Sequence, residues 1–193
     1  MFFGCNKLKI IDISFMKIDN LVNFTSVFQN CISLEAIKMP KNIIKVLKIN
    51  GLFANCYKLT SIDISNFNIE KVKDMSHMFY NCQSLISVNF PNNKLDNLLE
   101  TSQMFHSCIS LTSIDFSCFD TLNVIGCAYM FYDCRNLTFI DISSFRIAPS
   151  VKSDSIFLLF GKNMSNYGTI RINKEFYNRT DYDCIKNWTI IFN

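Results

Sequence analysis

The sequence predicts an α/β repeat solenoid of about seven coils, each a short parallel strand followed by a short helix, with a carboxy-terminal cap. Three observations carry that reading. The block Phe-x-x-Cys-x-x-Leu occurs six times, with its cysteines at Cys5, Cys31, Cys56, Cys82, Cys108 and Cys134. Their steps are equal except for the one from Cys31 to Cys56, which is a single position shorter, and a fixed period in the twenties marks one supersecondary unit stacked on itself. After each block comes a short stretch of period-two alternation, and before it an apolar spacing of helical type.

The strand is clearest in Ser61-Ile62-Asp63-Ile64-Ser65, where apolar and polar residues alternate as on a sheet with one wet face. Equivalent pairs are Ile11/Ile13, Ile37/Met39, Val88/Phe90, Ile114/Phe116 and Ile140/Ile142, with Ile170/Ile172 after a longer gap, which gives seven strands. Between strands, Val72, Met75, Phe79 and Cys82 fall at i, i+3, i+7 and i+10, a spacing that predicts a helix. It recurs as Leu21-Phe24-Phe28-Cys31, Val46-Ile49-Phe53-Cys56, Leu98-Thr101-Phe105-Cys108 and Val124-Cys127-Phe131-Cys134. Neither element can bury its apolar side alone, so every Phe, Cys and Leu of the block is expected to face one shared interior. The array is placed at 1–160, and residues 161–193 form the last strand and capping segment. There Trp188, the single tryptophan, covers the final layer. The opening Met-Phe-Phe-Gly-Cys starts inside a repeat and reads as neither a cap nor a secretory leader.

Composition narrows the functional classes. Apolar residues make up 49% of the chain and 19 residues are phenylalanine, ample for a core. A formal charge of +3 with lysines scattered among acids argues against nucleic acid. Lys41, Lys45 and Lys48 are the nearest approach to a basic cluster and read as a solvated face. No apolar run approaches the roughly 18 residues of a membrane span. Nine cysteines cannot all pair within one chain. A ladder of buried reduced thiols is expected, with Cys118, Cys127 and Cys184 outside it and Cys127 standing where Met75 stands.

No catalytic arrangement is expected. His77 and His106 fall at different phases of the repeat, so nothing in the pattern brings them together. Ser76 beside His77 is not a dyad, since adjacent helical residues do not face each other. The spacings from Cys108 to Cys134 match no zinc site, and there is no glycine-rich phosphate loop. No enzyme activity, cofactor or metal is predicted.

Residues 67–85, with Asp74-Met75-Ser76, Met78-Phe79, Cys82 and Leu85, resemble the BspA-like class of leucine-rich repeats, as do Phe119-Asp120-Thr121, Met130-Phe131 and Ile140-Asp141-Ile142-Ser143. Gly168-Thr-Ile-Arg-Ile, Tyr177 and Asn187-Trp188 are similar to the closing segment of such arrays. The resemblance covers about residues 1–145. It implies a leucine-rich-repeat solenoid engaged in adhesion or protein recognition at a cell surface or in secretion, without catalysis. Five Asn-x-Ser/Thr triplets (Asn23, Asn136, Asn163, Asn178, Asn187) would accept glycans in a secreted eukaryotic protein.

Solenoids commonly bind through an extended face. Three outward columns cross the strands here: Asp12, Lys38, Asp63, Asn89, Asp115, Asp141; then Ser14, Pro40, Ser65, Pro91, Ser117, Ser143; then Ile10, Ala36, Ser61, Ser87, Ser113, Phe139. Partner contact is assigned to Asp63, Ser65, Asn89, Asp115, Ser117 and Asp141. The same columns are equally a solvated sheet surface, whose cross-strand pairs contribute about 0.2–1 kcal/mol each. The expected function is a non-enzymatic recognition module that binds a protein through this face. The alternative is an intracellular scaffold whose open amino end stacks on another array, since an apolar open end invites association.

Overall fold

A computed structural model describes residues 1–17, 22–40, 46–92, 95–117, 119, 123–146, 159–160, 162–174 and 185–193. Leu21, Lys41, Lys45, Cys118, Asp120, Thr121, Tyr177, Asn178 and Cys184 lie outside the described residues. The chain winds as a parallel-strand β-solenoid. Its strands are β1 (Ile10–Asp12), β2 (Ala36–Lys38), β3 (Ser61–Asp63), β4 (Ser87–Asn89), β5 (Ser113–Asp115), β6 (Phe139–Ile142), β7 (Thr169–Ile172) and β8 (Thr189–Phe192). From β1 to β6 the strands recur at the spacing of the cysteines and make about five regular turns; the step from β6 to β7 is longer and that from β7 to β8 shorter. The seven predicted strand positions are all occupied by strands, and β8 is an eighth that the alternation did not mark.

Register follows the repeat. Ile62 lies opposite Val88, Ile114 opposite Ile140, and Ile140 opposite Ile170. The central side chain of each strand turns inward, and its neighbours on either side face solvent in β1 to β5.

The predicted helices are a correction. Val72, Met75, Phe79 and Cys82 are indeed fully buried, but the backbone that carries them is a run of tight turns. Cys82 N–H donates to Phe79 O at 3.1 Å and Tyr80 N–H to His77 O at 3.0 Å, three positions back. The alternate amides leave the coil altogether: Phe79 N–H donates to Met104 O at 2.9 Å and Asn81 N–H to His106 O at 2.7 Å. An α-helix would return each of them four positions back along the same segment. The geometry is set by two left-handed residues bracketing each phenylalanine, at Ser26/Asn30, Gly51/Asn55, His77/Asn81, Gln103/Ser107 and Tyr129/Asp133. Asparagine, aspartate and glycine tolerate that conformation best, and one of them directly precedes Cys5, Cys31, Cys56, Cys82 and Cys134.

With half its amides aimed at the next coil, this turn block forms a ladder around which the core stacks. Phe28, Phe53, Phe79, Phe105 and Phe131 are fully buried. Their rings lie nearly parallel, with centroids 5.5 Å apart for Phe28–Phe53, 5.8 Å for Phe53–Phe79 and 5.3 Å for Phe79–Phe105, within the range of offset stacking. Each cysteine closes the layer: Cys56, Cys82, Cys108 and Cys134 donate S–H to the carbonyl of Phe28, Phe53, Phe79 and Phe105, all at 3.1 Å. These thiols are free. Burial pushes the Cys82 thiol up to about 12 and holds Cys56, Cys108 and Cys134 high as well, so they stay protonated donors.

At the carboxy-terminal end Trp188 is buried and donates its indole N–H to Ser165 O at 2.9 Å. Gly168 makes this possible: a Cβ there would sit 2.6 Å from Thr138 O and 2.8 Å from the indole. Among the described residues, no helix is long and apolar enough to cross a membrane.

Candidate functional site

Strand-face chemistry is set locally by the residues just past each strand. Where the sequence reads Asp-x-Ser, the carboxylate caps its own turn: Ser65 N–H donates to Asp63 Oδ1 at 2.9 Å, Ser117 N–H to Asp115 at 2.8 Å and Ser143 N–H to Asp141 at 3.0 Å. These are Asx turns. At Pro40 and Pro91 a proline takes the serine's place and has no N–H to donate, and the aspartate is replaced by Lys38 or Asn89. Each proline-terminated strand also fails to pair with the next one. Among the described residues the sheet therefore divides into β1-β2, β3-β4 and β5-β6-β7-β8.

Pairs stitch the column within each piece. Lys38 Nζ lies 3.4 Å from Asp12, and Asn89 Nδ2 donates to Asp63 Oδ1 at 3.1 Å. The hydrogen bonds from Ser65, then that from Asn89, hold the Asp63 carboxyl below its ordinary value. Ser14 and then Lys38 do the same for Asp12.

The break between β4 and β5 opens a cleft of about 310 Å³, lined by Ser87, Asn89, Phe90, Asn92, Asp115 and Ser117. Three of the sequence candidates, Asn89, Asp115 and Ser117, converge there. Asp63 and Ser65 lie one coil earlier, exposed on the same face. Asp141 does not share their setting: it is 4% exposed, with Arg171 3.5 Å away and Ser143 Oγ donating at 2.6 Å. The Arg171 guanidinium also lies 5.7 Å over the Phe139 ring, so β7 seals this end of the column. The cleft offers amides, a carboxylate and hydroxyls beside Phe90, a set suited to hydrogen-bonding a polar chain.

The two histidines are a further correction. His77 and His106 share one flank of the turn block, bridged by Tyr80, whose ring centroid is 5.6 Å from His77 and 4.9 Å from His106. Tyr132 stacks on the other side of His106 at 4.7 Å. Partial burial, then the charge of His77, pushes the His106 imidazole down, against Asp133. Adjacent side chains do meet here because the backbone is not helical: Ser107 Oγ lies 3.0 Å from His106 Nδ1. Ser76 instead donates its hydroxyl to Asp74 at 2.6 Å. Among the described residues no group of three or more His, Cys, Asp or Glu side chains is placed to hold a metal.

The family described as Mycoplasma protein of unknown function, DUF285, matches residues 1–112 and 86–169. A crystal structure of a leucine-rich repeat protein from Bacteroides ovatus aligns with 100% of this chain at 23% identity and a TM-score of 0.46, and the chain spans 56% of that protein. Comparison with curated proteins finds no match.

Proposed function

Because the chain belongs to the family described as Mycoplasma protein of unknown function, DUF285, we propose its role from its own surface: a non-enzymatic recognition module, adhesin-like and acting at a cell surface, that binds a protein through the open strand face. The single observation that supports this most is the cleft between β4 and β5, where Asn89, Asp115 and Ser117 meet beside two strands that do not bond to each other. Its polar groups also serve their own turns and a cross-strand pair, but here they border an open space between unpaired strands.

A photoreactive side chain at Ser117 tests it, with a second at Glu70 on another part of the coil as control. A partner captured from Ser117 alone is expected, and its affinity should fall at least tenfold for the variant D63K/N89K/D115K while the melting temperature holds. Equal capture from both positions, or unchanged affinity, removes the strand face from consideration.

A second reading has its own observation. The first coil exposes Phe3 (60%) and Phe15 (79%), apolar side chains that another array could cover. Mass that rises with concentration, and is restored to monomer by F15D, would favour that scaffold role.

A further inference from the structure

One coil junction differs from the others, and the difference begins in the sequence. From the last residue of a strand to the next parallel bridge position the chain takes arcs of equal length in four coils: Asp12 to Asn23, Asp63 to Asp74, Asn89 to Glu100 and Asp115 to Gly126. The arc from Lys38 to Lys48 is one position shorter. This missing residue is the short step between Cys31 and Cys56. Both outer ladders fail where that coil meets the next. β2 does not pair with β3. Asn23–Lys48, Asp74–Glu100 and Glu100–Gly126 are bridged, but among the described residues Lys48 and Asp74 are not. The turn block continues unbroken across the same junction, with Phe53 N–H to Met78 O at 2.9 Å and Asn55 N–H to Tyr80 O at 2.7 Å. Apart from Val46 N–H to Asn68 O at 3.3 Å, neither outer ladder bonds across this junction among the described residues, so the coils stay stacked on the turn-block wall and open between Lys48 and Asp74.

The parting is a groove of about 580 Å³ whose lining includes Leu47, Lys48, Lys71, Lys73 and Asp74, within the roughly 300–1,000 Å³ of ligand clefts. All three lysines are exposed, and none has an ion-pair partner among the described residues. Asp74 also lines the groove and keeps its charge, with its carboxylate accepting Ser76 N–H at 2.8 Å and Ser76 Oγ at 2.6 Å; one carboxylate against three ammonium groups leaves the lining net positive. Leu47 is 41% exposed beside them. Three ammonium groups around an apolar wall are complementary to an anion that also carries apolar side chains. Further along this wall the bridge positions are Glu100 and Gly126, so the basic character stops at the groove. A polynucleotide would need a longer basic track.

We propose that this groove binds an acidic peptide segment, with its carboxylates on Lys48, Lys71 and Lys73 and an apolar side chain against Leu47. The site is separate from the strand-face cleft and independent of it.

The test uses a fluorescent peptide of alternating glutamate and leucine, with a glutamate–serine peptide, a lysine–leucine peptide and a thymidine oligonucleotide as comparisons. The glutamate–leucine peptide is expected to bind at micromolar concentration and to weaken as salt is raised. K48E/K71E/K73E should weaken it at least tenfold, L47S by a smaller factor, and D63K/N89K/D115K not at all. Inserting one amino acid between Pro40 and Val46 restores the full-length arc; it should close the groove and remove binding with no loss of thermal stability, which keeps the test informative if the triple variant misfolds. Equal binding of the oligonucleotide, undiminished binding by K48E/K71E/K73E or by the insertion variant, or no binding at all, would overturn the proposal.

Discussion

The turn-block wall and the strand wall of this solenoid are built from the same repeat, yet one is continuous and the other is broken twice. In the turn block every second amide reaches the next coil, and a phenylalanine and a thiol fill each layer beneath it. On the strand wall, short strands bond to their neighbours and part after Pro40 and Pro91. The turn-block bonds run through every coil, while the strand wall opens at the short step after Pro40 and again after Pro91, where the step is regular. Substitutions on the two walls should differ accordingly.

The largest difference is expected at Phe79. Removing its ring from the middle of the stack should cost about 3–5 kcal/mol in chemical denaturation, whereas D115N on the strand wall should stay within about 0.5 kcal/mol. A comparable loss for both would erase the distinction.

Gly168→Val comes next. The added side chain meets Thr138 O and the indole of Trp188, an overpacking that typically costs about 1–3 kcal/mol. Emission from the single tryptophan should shift to longer wavelength as it loses its buried setting.

The cysteine ladder predicts alkaline sensitivity. Its thiol pKa values are raised in the folded state, Cys82 to about 12 by burial. The protein thus keeps protons that the unfolded chain releases above about pH 8.5, so stability is full below that pH and falls above it. Each such thiol contributes a loss of about 1.4 kcal/mol per pH unit. Denaturation midpoints at pH 8, 9 and 10 would show this slope, and C82A/C108A should flatten it.

Asn81 separates a turn from a helix. Held at φ 60°, it should tolerate glycine better than alanine: both lose its side-chain bonds to Asn55 and Gln83, and alanine costs about 1–2 kcal/mol more for the left-handed backbone. In a helix the order would reverse. Tyr80→Ala should cost about 1 kcal/mol, the scale of its ring contacts with His77 and His106, far less than its neighbour Phe79.

Much of this architecture is legible in the residues. The spacing of Phe, Cys and Leu identifies the buried layers, and the alternation around Ile62 sets the strand register. The helical reading fails because i, i+3, i+7 spacing marks which side chains turn inward but not how the backbone carries them there. The asparagine, aspartate or glycine before most of the cysteines is the available signal, since a left-handed residue cannot sit inside a helix. Asp141 reads as one more member of an open column because its cover, Arg171, comes from β7, a strand outside the regular period. The His77–Tyr80–His106 contacts depend on the turn geometry and cannot be seen without it. The groove is written in the chain as the one short step between cysteines.

Scalar couplings across hydrogen bonds, read between amide nitrogens and carbonyl carbons by NMR, test the central claim most directly. The account predicts coupling from the Phe79 amide to the Met104 carbonyl and from Asn81 to His106, one coil away. Coupling from Phe79 to the Met75 carbonyl within the same segment would contradict it.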